Sequence, residues 1–211
     1  ILIANITVGI VGGTGYTGSE LLRLLLQHSK VDVVAVTSRN QVGKFIHKTH
    51  PNLRGFTSLK YISPDDLPKT DVLFLGLPHG AVASQIDEYA GTTNLLIDLS
   101  SDFRLRNPQD YVQYYQHNHE RPDLLNDFVY GMPELHRKEI KNSDRIAVPG
   151  CTATGAILPL KPIVDAFNVS KVVIDSKVGS SASGAKSSAG THHPERQGVV
   201  RSFKPSGHRH I

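Results

Sequence analysis

Residues 7–18 read Thr7-Val8-Gly9-Ile10-Val11-Gly12-Gly13-Thr14-Gly15-Tyr16-Thr17-Gly18, and this stretch decides the fold. Thr7 to Val11 is a short apolar run that reads as a buried strand. Gly13, Gly15 and Gly18 match G-x-G-x-x-G. In that pattern the first glycine allows a tight turn, the second lets the backbone approach a pyrophosphate, and the third allows close helix–strand packing. A helix N-terminus then binds the anion with its free N–H groups. Glu20 to Leu26 reads as that helix, ending near His28, and Val31 to Val36 is a second apolar, β-branched run. Strand, glycine turn, helix and strand within about thirty residues is the size of a βαβ unit. The turn Gly13-Thr14-Gly15-Tyr16-Thr17-Gly18 is therefore read as a dinucleotide site.

The end of the second strand discriminates between cofactors. NAD binders place a carboxylate there for the ribose 2′-hydroxyl. This chain has Thr37-Ser38-Arg39-Asn40 instead, so Ser38 and Arg39 are read as holders of a 2′-phosphate and the cofactor as NADP(H). Further on, residues 40–70 look irregular, with Leu59 to Ile62 a weak strand candidate and Pro64 to Leu67 a short turn or helix. Asp71 to Gly76 and Asn94 to Asp98 are strands, with a helix over Ala81 to Tyr89 between them. Ligands of a doubly wound sheet lie outside the carboxyl ends of the strands, so loops 77–80 and 99–104 should face cofactor or substrate. His79 in the first loop is read either as a ligand contact or as a turn-stabilising residue. No chemistry is assigned to the polar stretch 105–145.

A second stretch carries the chemistry. The apolar run Arg145 to Val148 enters Pro149-Gly150, and Cys151 follows as the only cysteine of the chain. Beyond it Ala156, Ile157, Leu160, Ile163, Val164 and Phe167 share one helical face, although Pro159 and Pro162 each remove a backbone donor. Cys151 thus sits at a helix N-terminus, where the dipole favours anions and a thiolate. A lone thiol beside a nicotinamide site fits aldehyde or acyl chemistry through a thioester. Such a site needs a general acid/base, for which His208 and His210 are candidates. It also needs cations for phosphate, and Arg104, Lys186, Arg201 and Arg209 are available. Lys171 to Val178 reads as a strand of a second domain, and the glycine- and serine-rich stretch 179–190 as a linker or a donor-rich loop. The adjacent His192 and His193 lack matched partners, so no metal is expected.

Bulk properties exclude several classes. The 211 residues are 39% hydrophobic and 20% charged, ordinary for a globular protein of one large or two modest domains. No run of eighteen apolar residues exists, so no membrane helix is expected. One cysteine suits a reducing compartment, and a cytoplasmic location is expected. The net charge of +4 is not clustered, which argues against nucleic acid. Residue 1 is not Met, and the chain stops one residue after Gly207-His208-Arg209-His210; further C-terminal sequence is expected.

Five segments together resemble the N-acetyl-γ-glutamyl-phosphate reductase family and its relatives in the aspartate-semialdehyde dehydrogenase superfamily. They are the glycine turn 12–18, Asp98-Leu99-Ser100-Ser101-Asp102-Phe103-Arg104, Tyr130-Gly131-Met132-Pro133-Glu134-Leu135, Pro149-Gly150-Cys151 and Gly207-His208-Arg209-His210. The resemblance implies an α/β fold. A Rossmann-type doubly wound parallel sheet takes residues 1–150, and a glyceraldehyde-3-phosphate-dehydrogenase-like α+β substrate and dimerisation domain starts at 151. It implies Cys151 as nucleophile and His210 as acid/base, with His208 as the alternative. It places Ser181, Lys186, Arg104 and Arg209 at the substrate, and Ser183 and Gly184 at the cofactor. The implied reaction is reduction of a γ-acyl phosphate by NADPH to a semialdehyde and phosphate, by a homo-oligomer (dimer or tetramer). Thr152, where the family usually has an aromatic residue, and His192-His193-Pro194-Glu195-Arg196 resemble the branch acting on glutamate or α-aminoadipate attached to an acidic amino-group carrier protein, in lysine and arginine synthesis. The alternatives are the acetylated substrate, aspartate-semialdehyde dehydrogenase, and a non-enzymatic NADP(H) sensor. A short-chain alcohol dehydrogenase is excluded for want of a Tyr-x-x-x-Lys pair.

Overall fold

The computed structural model describes residues 5–202. Its centre is a sheet of six parallel strands, β1 (Ile6–Val11), β2 (Val31–Val36), β3 (Thr70–Leu75), β4 (Thr93–Asp98), β5 (Val129–Tyr130) and β6 (Arg145–Ala147), in the order β2-β1-β3-β4-β6-β5. A parallel sheet must be covered on both faces, and β3 shows how. Leu73 and Leu75 enter one apolar cluster with Ile86, Tyr89, Phe103 and Phe128. The alternate residues Val72 and Phe74 pack against the other, built on Val8, Ile10, Leu22 and Ile46. The strand order reverses between β1 and β3, which makes the mouth between their carboxyl ends the switch point where a ligand crevice forms.

Helix α1 (Tyr16–Leu25) follows β1 through the glycine turn, as its sequence implies. The irregular region contains α2 (Ile46–Thr49) and a 3-10 turn over Pro51–Leu53. The weak strand at 59–62 is two isolated bridges, Phe45 to Lys60 and Thr37 to Ile62. The helix expected over 81–89 is a 3-10 turn at Ala83–Gln85 running into α3 (Ile86–Ala90). The polar stretch holds α4 (Pro108–Tyr115) and α5 (Pro133–Lys141). Its Tyr111 is buried, and the hydroxyl donates to the carbonyl of Ser101 at 3.3 Å, so it braces the 99–104 loop from below.

Helix α6 (Cys151–Ala166) starts at the cysteine and runs sixteen residues with Pro159 and Pro162 inside it. The strand expected over 171–178 is a correction: this segment has no regular structure. A strand is stable only when its N–H and C=O groups pair with a neighbour, and among the described residues none lies beside it. Val173 is 84% exposed and Ile174 55%. The 179–190 stretch contains a 3-10 turn at Ser180–Ser183, and α7 (His193–Arg196) follows it. Among the described residues no helix is long and apolar enough to cross a membrane.

Candidate active site

The glycine turn is built by close backbone approach. Gly12 has φ +78, and a Cβ there would lie 2.5 Å from the Gly76 carbonyl oxygen. The positive-φ turn therefore belongs to Gly12, one residue before the motif glycine to which the pattern assigned it. A Cβ on Gly13 would meet Val36 at 2.2 Å, and one on Gly18 would meet the Gly13 carbonyl at 2.6 Å. The third glycine thus packs the helix onto the turn, as expected. Gly15 has open space where its Cβ would point and caps α1 without a side chain. No acidic residue occupies the first turn of α1, so its N–H groups are available to an anion. Thr14 is partly buried, while Tyr16 and Thr17 are exposed at the rim.

Beside this turn lies a cleft of about 280 Å³ whose lining includes Gly12, Ser38, Arg39, Pro78, Gln85 and Tyr89. The sequence-predicted pair Ser38 and Arg39 stands here, next to the glycine turn. Arg39 Nη2 donates to Gln85 Oε1 at 3.1 Å, and the Tyr89 hydroxyl donates to the same oxygen at 3.2 Å. The Gln85 amide nitrogen donates to the Ala81 carbonyl at 2.8 Å. Arg39 is therefore held across the cleft by a side chain 46 residues away, which sequence reasoning did not find. The residues fit the adenosine end of a nicotinamide dinucleotide, with apolar walls and one cation.

The loop after β4 is a polar network. Asp98 is fully buried at the strand end, and burial pushes its carboxyl up to about 7 against two hydrogen bonds from Ser100. Asp102 accepts from the backbone N–H groups of Gly80, Val82 and Ala83 at 2.7–3.0 Å, which fixes the neighbouring 77–83 turn. His79 accepts through Nδ1 from Ser101 N–H at 3.1 Å, so it stabilises the turn. Arg104 closes the network. Its Nε donates to the Val148 carbonyl at 2.6 Å and its Nη2 to the Leu99 carbonyl at 3.0 Å. Expected at the substrate, Arg104 has its guanidinium engaged with the backbone carbonyls that follow the adjacent strands β4 and β6.

Cys151 is exposed and is the first residue of α6. Gly150 precedes it in extended conformation, and Thr154 returns both its N–H and its hydroxyl to the Gly150 carbonyl at 2.9 and 3.0 Å. The thiol opens into a cavity of about 430 Å³ lined by Cys151, Thr152, Gly155, Ala156 and the segment 174–178. Thr152 Oγ1 is buried and has no hydrogen-bond partner among the described residues. Ser181, Ser183, Gly184 and Lys186 are exposed and line neither this cavity nor the cleft at Arg39. His208, Arg209 and His210 lie outside the described residues. Among the described residues no group of three or more His, Cys, Asp or Glu side chains is placed to hold a metal.

The family model for the semialdehyde dehydrogenase NAD binding domain matches residues 7–143, and that for the semialdehyde dehydrogenase dimerisation domain matches 151–211. A Saccharolobus solfataricus protein named LysW-L-2-aminoadipate/LysW-L-glutamate phosphate reductase is 48% identical over 211 residues, covering 98% of this chain and 60% of that protein. A Deinococcus radiodurans protein named LysW-L-2-aminoadipate 6-phosphate reductase is 44% identical, covering 97% of this chain and 59% of its own length. Aspartate semialdehyde dehydrogenase II of Vibrio cholerae, solved with ASA, shares the fold at a TM-score of 0.64 and 20% identity, over 86% of this chain and 49% of that one. The chain spans about 60% of the length of the curated relatives it matches. It belongs to the semialdehyde dehydrogenase family and carries that family's nicotinamide-dinucleotide-binding domain.

Proposed function

We propose that this semialdehyde dehydrogenase family member reduces a γ-glutamyl or δ-aminoadipyl phosphate, carried on an acidic amino-group carrier protein of the LysW kind, to the semialdehyde with release of phosphate. One observation carries the reading. The only cysteine opens a helix at the end of β6, and Arg104 ties its turn to the β4 loop of the sheet that holds the dinucleotide turn. The relatives' names support the carrier-linked substrate.

In this mechanism the Cys151 thiolate attacks the acyl carbon, a C–S bond forms, and the C–O bond to phosphate breaks. NADPH, when bound, supplies the hydride that reduces the thioester carbon. The C–S bond then breaks, the aldehyde leaves, and the thiolate is restored. Helix α6 directs its N-terminal N–H groups toward the charge that develops on the acyl oxygen. His210, or His208 in its place, supplies and removes the proton. Arg39 and Ser38 favour NADP over NAD by facing the 2′-phosphate. Lys186, Ser181 and Arg209 receive the substrate, and Ser183 with Gly184 contacts the cofactor. The division at residue 150 separates cofactor binding from substrate binding and dimerisation in a cytoplasmic homo-oligomer.

The test is the reverse reaction on the full-length protein: phosphate-dependent NADP+ reduction with the carrier-linked aminoadipate or glutamate semialdehyde, beside N-acetylglutamate semialdehyde. Turnover of the carrier-linked compounds alone is expected. Robust turnover of the acetylated compound moves the protein to the acetyl branch. NADP+ binding without any turnover favours the sensor reading.

A further inference from the structure

The carbonyl of Gly13 points into the protein, not out of the glycine turn. His50 Nε2 stands 2.7 Å from it, and the Tyr61 hydroxyl donates to it at 3.5 Å. Both side chains are buried, His50 at 6% exposure and Tyr61 at 1%. A carbonyl oxygen only accepts, so Nε2 of His50 carries the hydrogen. His50 is itself fixed, with its N–H on the Ile46 carbonyl at 2.9 Å and Pro51 beginning a 3-10 turn behind it. The rest of Gly13 is equally confined, by its N–H on the Thr37 carbonyl at 3.2 Å, by Val36, and by Gly18 against its carbonyl carbon.

The consequence follows from the planar trans peptide. In the unit joining Gly13 to Thr14, the C=O and the N–H point in opposite directions. Among the described residues no peptide is cis. Drawing the Gly13 oxygen inward therefore turns the Thr14 N–H outward, toward the crevice at the start of α1. We propose that His50 is a positioning residue for the dinucleotide: through the Gly13–Thr14 peptide it fixes an N–H donor for the cofactor's pyrophosphate. Without this anchor the peptide can rotate and present a carbonyl oxygen to the anion. The inference rests on the dinucleotide reading of the glycine turn.

The test compares His50→Leu and His50→Gln in the full-length protein. NADP+ affinity is measured by titration, and the rate of Cys151 alkylation by iodoacetamide reports on the remote fold. The expected result is an approximately tenfold weaker Kd for H50L, an unchanged alkylation rate, and an H50Q affinity within about threefold of the original, because the glutamine amide keeps a donor at similar reach. If H50L does not fold, H50N replaces it, polar but too short to reach the Gly13 oxygen, with the same tenfold loss expected. Wild-type affinity in H50L or H50N overturns the inference. So does equal impairment of H50Q and H50L together with altered alkylation, since His50 would then only hold up the fold. Failure of the unaltered protein to bind NADP+ refutes the dinucleotide reading itself.

Discussion

Arg104 Nε lies 2.6 Å from the carbonyl oxygen of Val148, and through this bond the loop after β4 grips the turn that delivers Cys151. A second bond from Nη2 holds the Leu99 carbonyl at 3.0 Å. Hydrogen bonds from a charged donor are worth roughly 1.5–3 kcal/mol each, and a buried carbonyl left unpaired adds a penalty. Arg104→Leu should lower the melting temperature by several degrees and kcat by tenfold or more. Cys151 alkylation without substrate separates the two roles open to Arg104. A clamp predicts a changed alkylation rate in the free enzyme, whereas a purely substrate-binding arginine predicts an unchanged rate with a raised KM.

Asp98 predicts a pH signature. Its carboxyl is held at about 7, against an ordinary value of 3.8, by burial, with a smaller push from the charge of Asp102; the hydrogen bonds from Ser100 and, less, the charge of Arg104 oppose it. The folded state thus holds the proton more tightly than the unfolded chain. Asp98's contribution is fully present below about pH 4 and is lost as pH rises toward 7. At about 1.4 kcal/mol per pKa unit, the loss is on the order of a few kcal/mol. Asp98→Asn, which keeps an acceptor for the Ser100 N–H, should remove this decline relative to the parent between pH 4 and 7. Denaturant midpoints at several pH values check it, and parallel curves for the two proteins would refute it.

The glycines of the turn should separate stability from binding. Gly13→Ala drives a Cβ to 2.2 Å from Val36, an overpacking that costs about 1–3 kcal/mol. Gly15→Ala meets nothing within 4 Å, and its φ of −84 suits alanine, so the melting temperature should hold. If the proposed pyrophosphate site at this turn is right, its methyl group stands in the way of the anion, and NADP+ affinity should fall at least tenfold. Thermal unfolding and nucleotide titration on both variants test the separation.

Cofactor choice should follow Arg39 and its anchor. Arg39→Asp should weaken NADPH more than NADH, by tenfold or more in the ratio of Kd values. Gln85→Leu, which releases Arg39 Nη2, should move the same ratio in the same direction by a smaller factor. Equal losses for both cofactors in R39D would remove the 2′-phosphate assignment.

What the sequence revealed was mostly local. The β1–turn–α1–β2 unit declares itself because apolar periodicity, glycine spacing and helix start lie within thirty residues. Cys151 could be placed at a helix start for the same reason: Pro149-Gly150 breaks the strand and an apolar helical face follows. The failures are non-local. Residues 171–178 have β-branched composition, yet pairing decides a strand and composition alone does not reveal the partner. The bonds from Arg39 to Gln85 and from Arg104 to Val148 join residues 46 and 44 positions apart. His50 sits in a stretch without periodicity, and nothing in its neighbours points to the Gly13 carbonyl. The glycine pattern begins at Gly13, one residue after the positive-φ turn at Gly12, so its spacing alone misplaces that turn.

In the proposed mechanism Cys151 carries the acyl group. The most direct measurement mixes full-length protein, NADP+ and the carrier-linked semialdehyde without phosphate, and records NADPH formation together with the intact mass. Covalent catalysis by Cys151 gives a burst of one NADPH per active site and a matching acyl adduct on Cys151, both abolished in Cys151→Ser while NADP+ still binds. A burst of NADPH in Cys151→Ser comparable to that of the parent, or a burst in the parent with no adduct on Cys151, would contradict it.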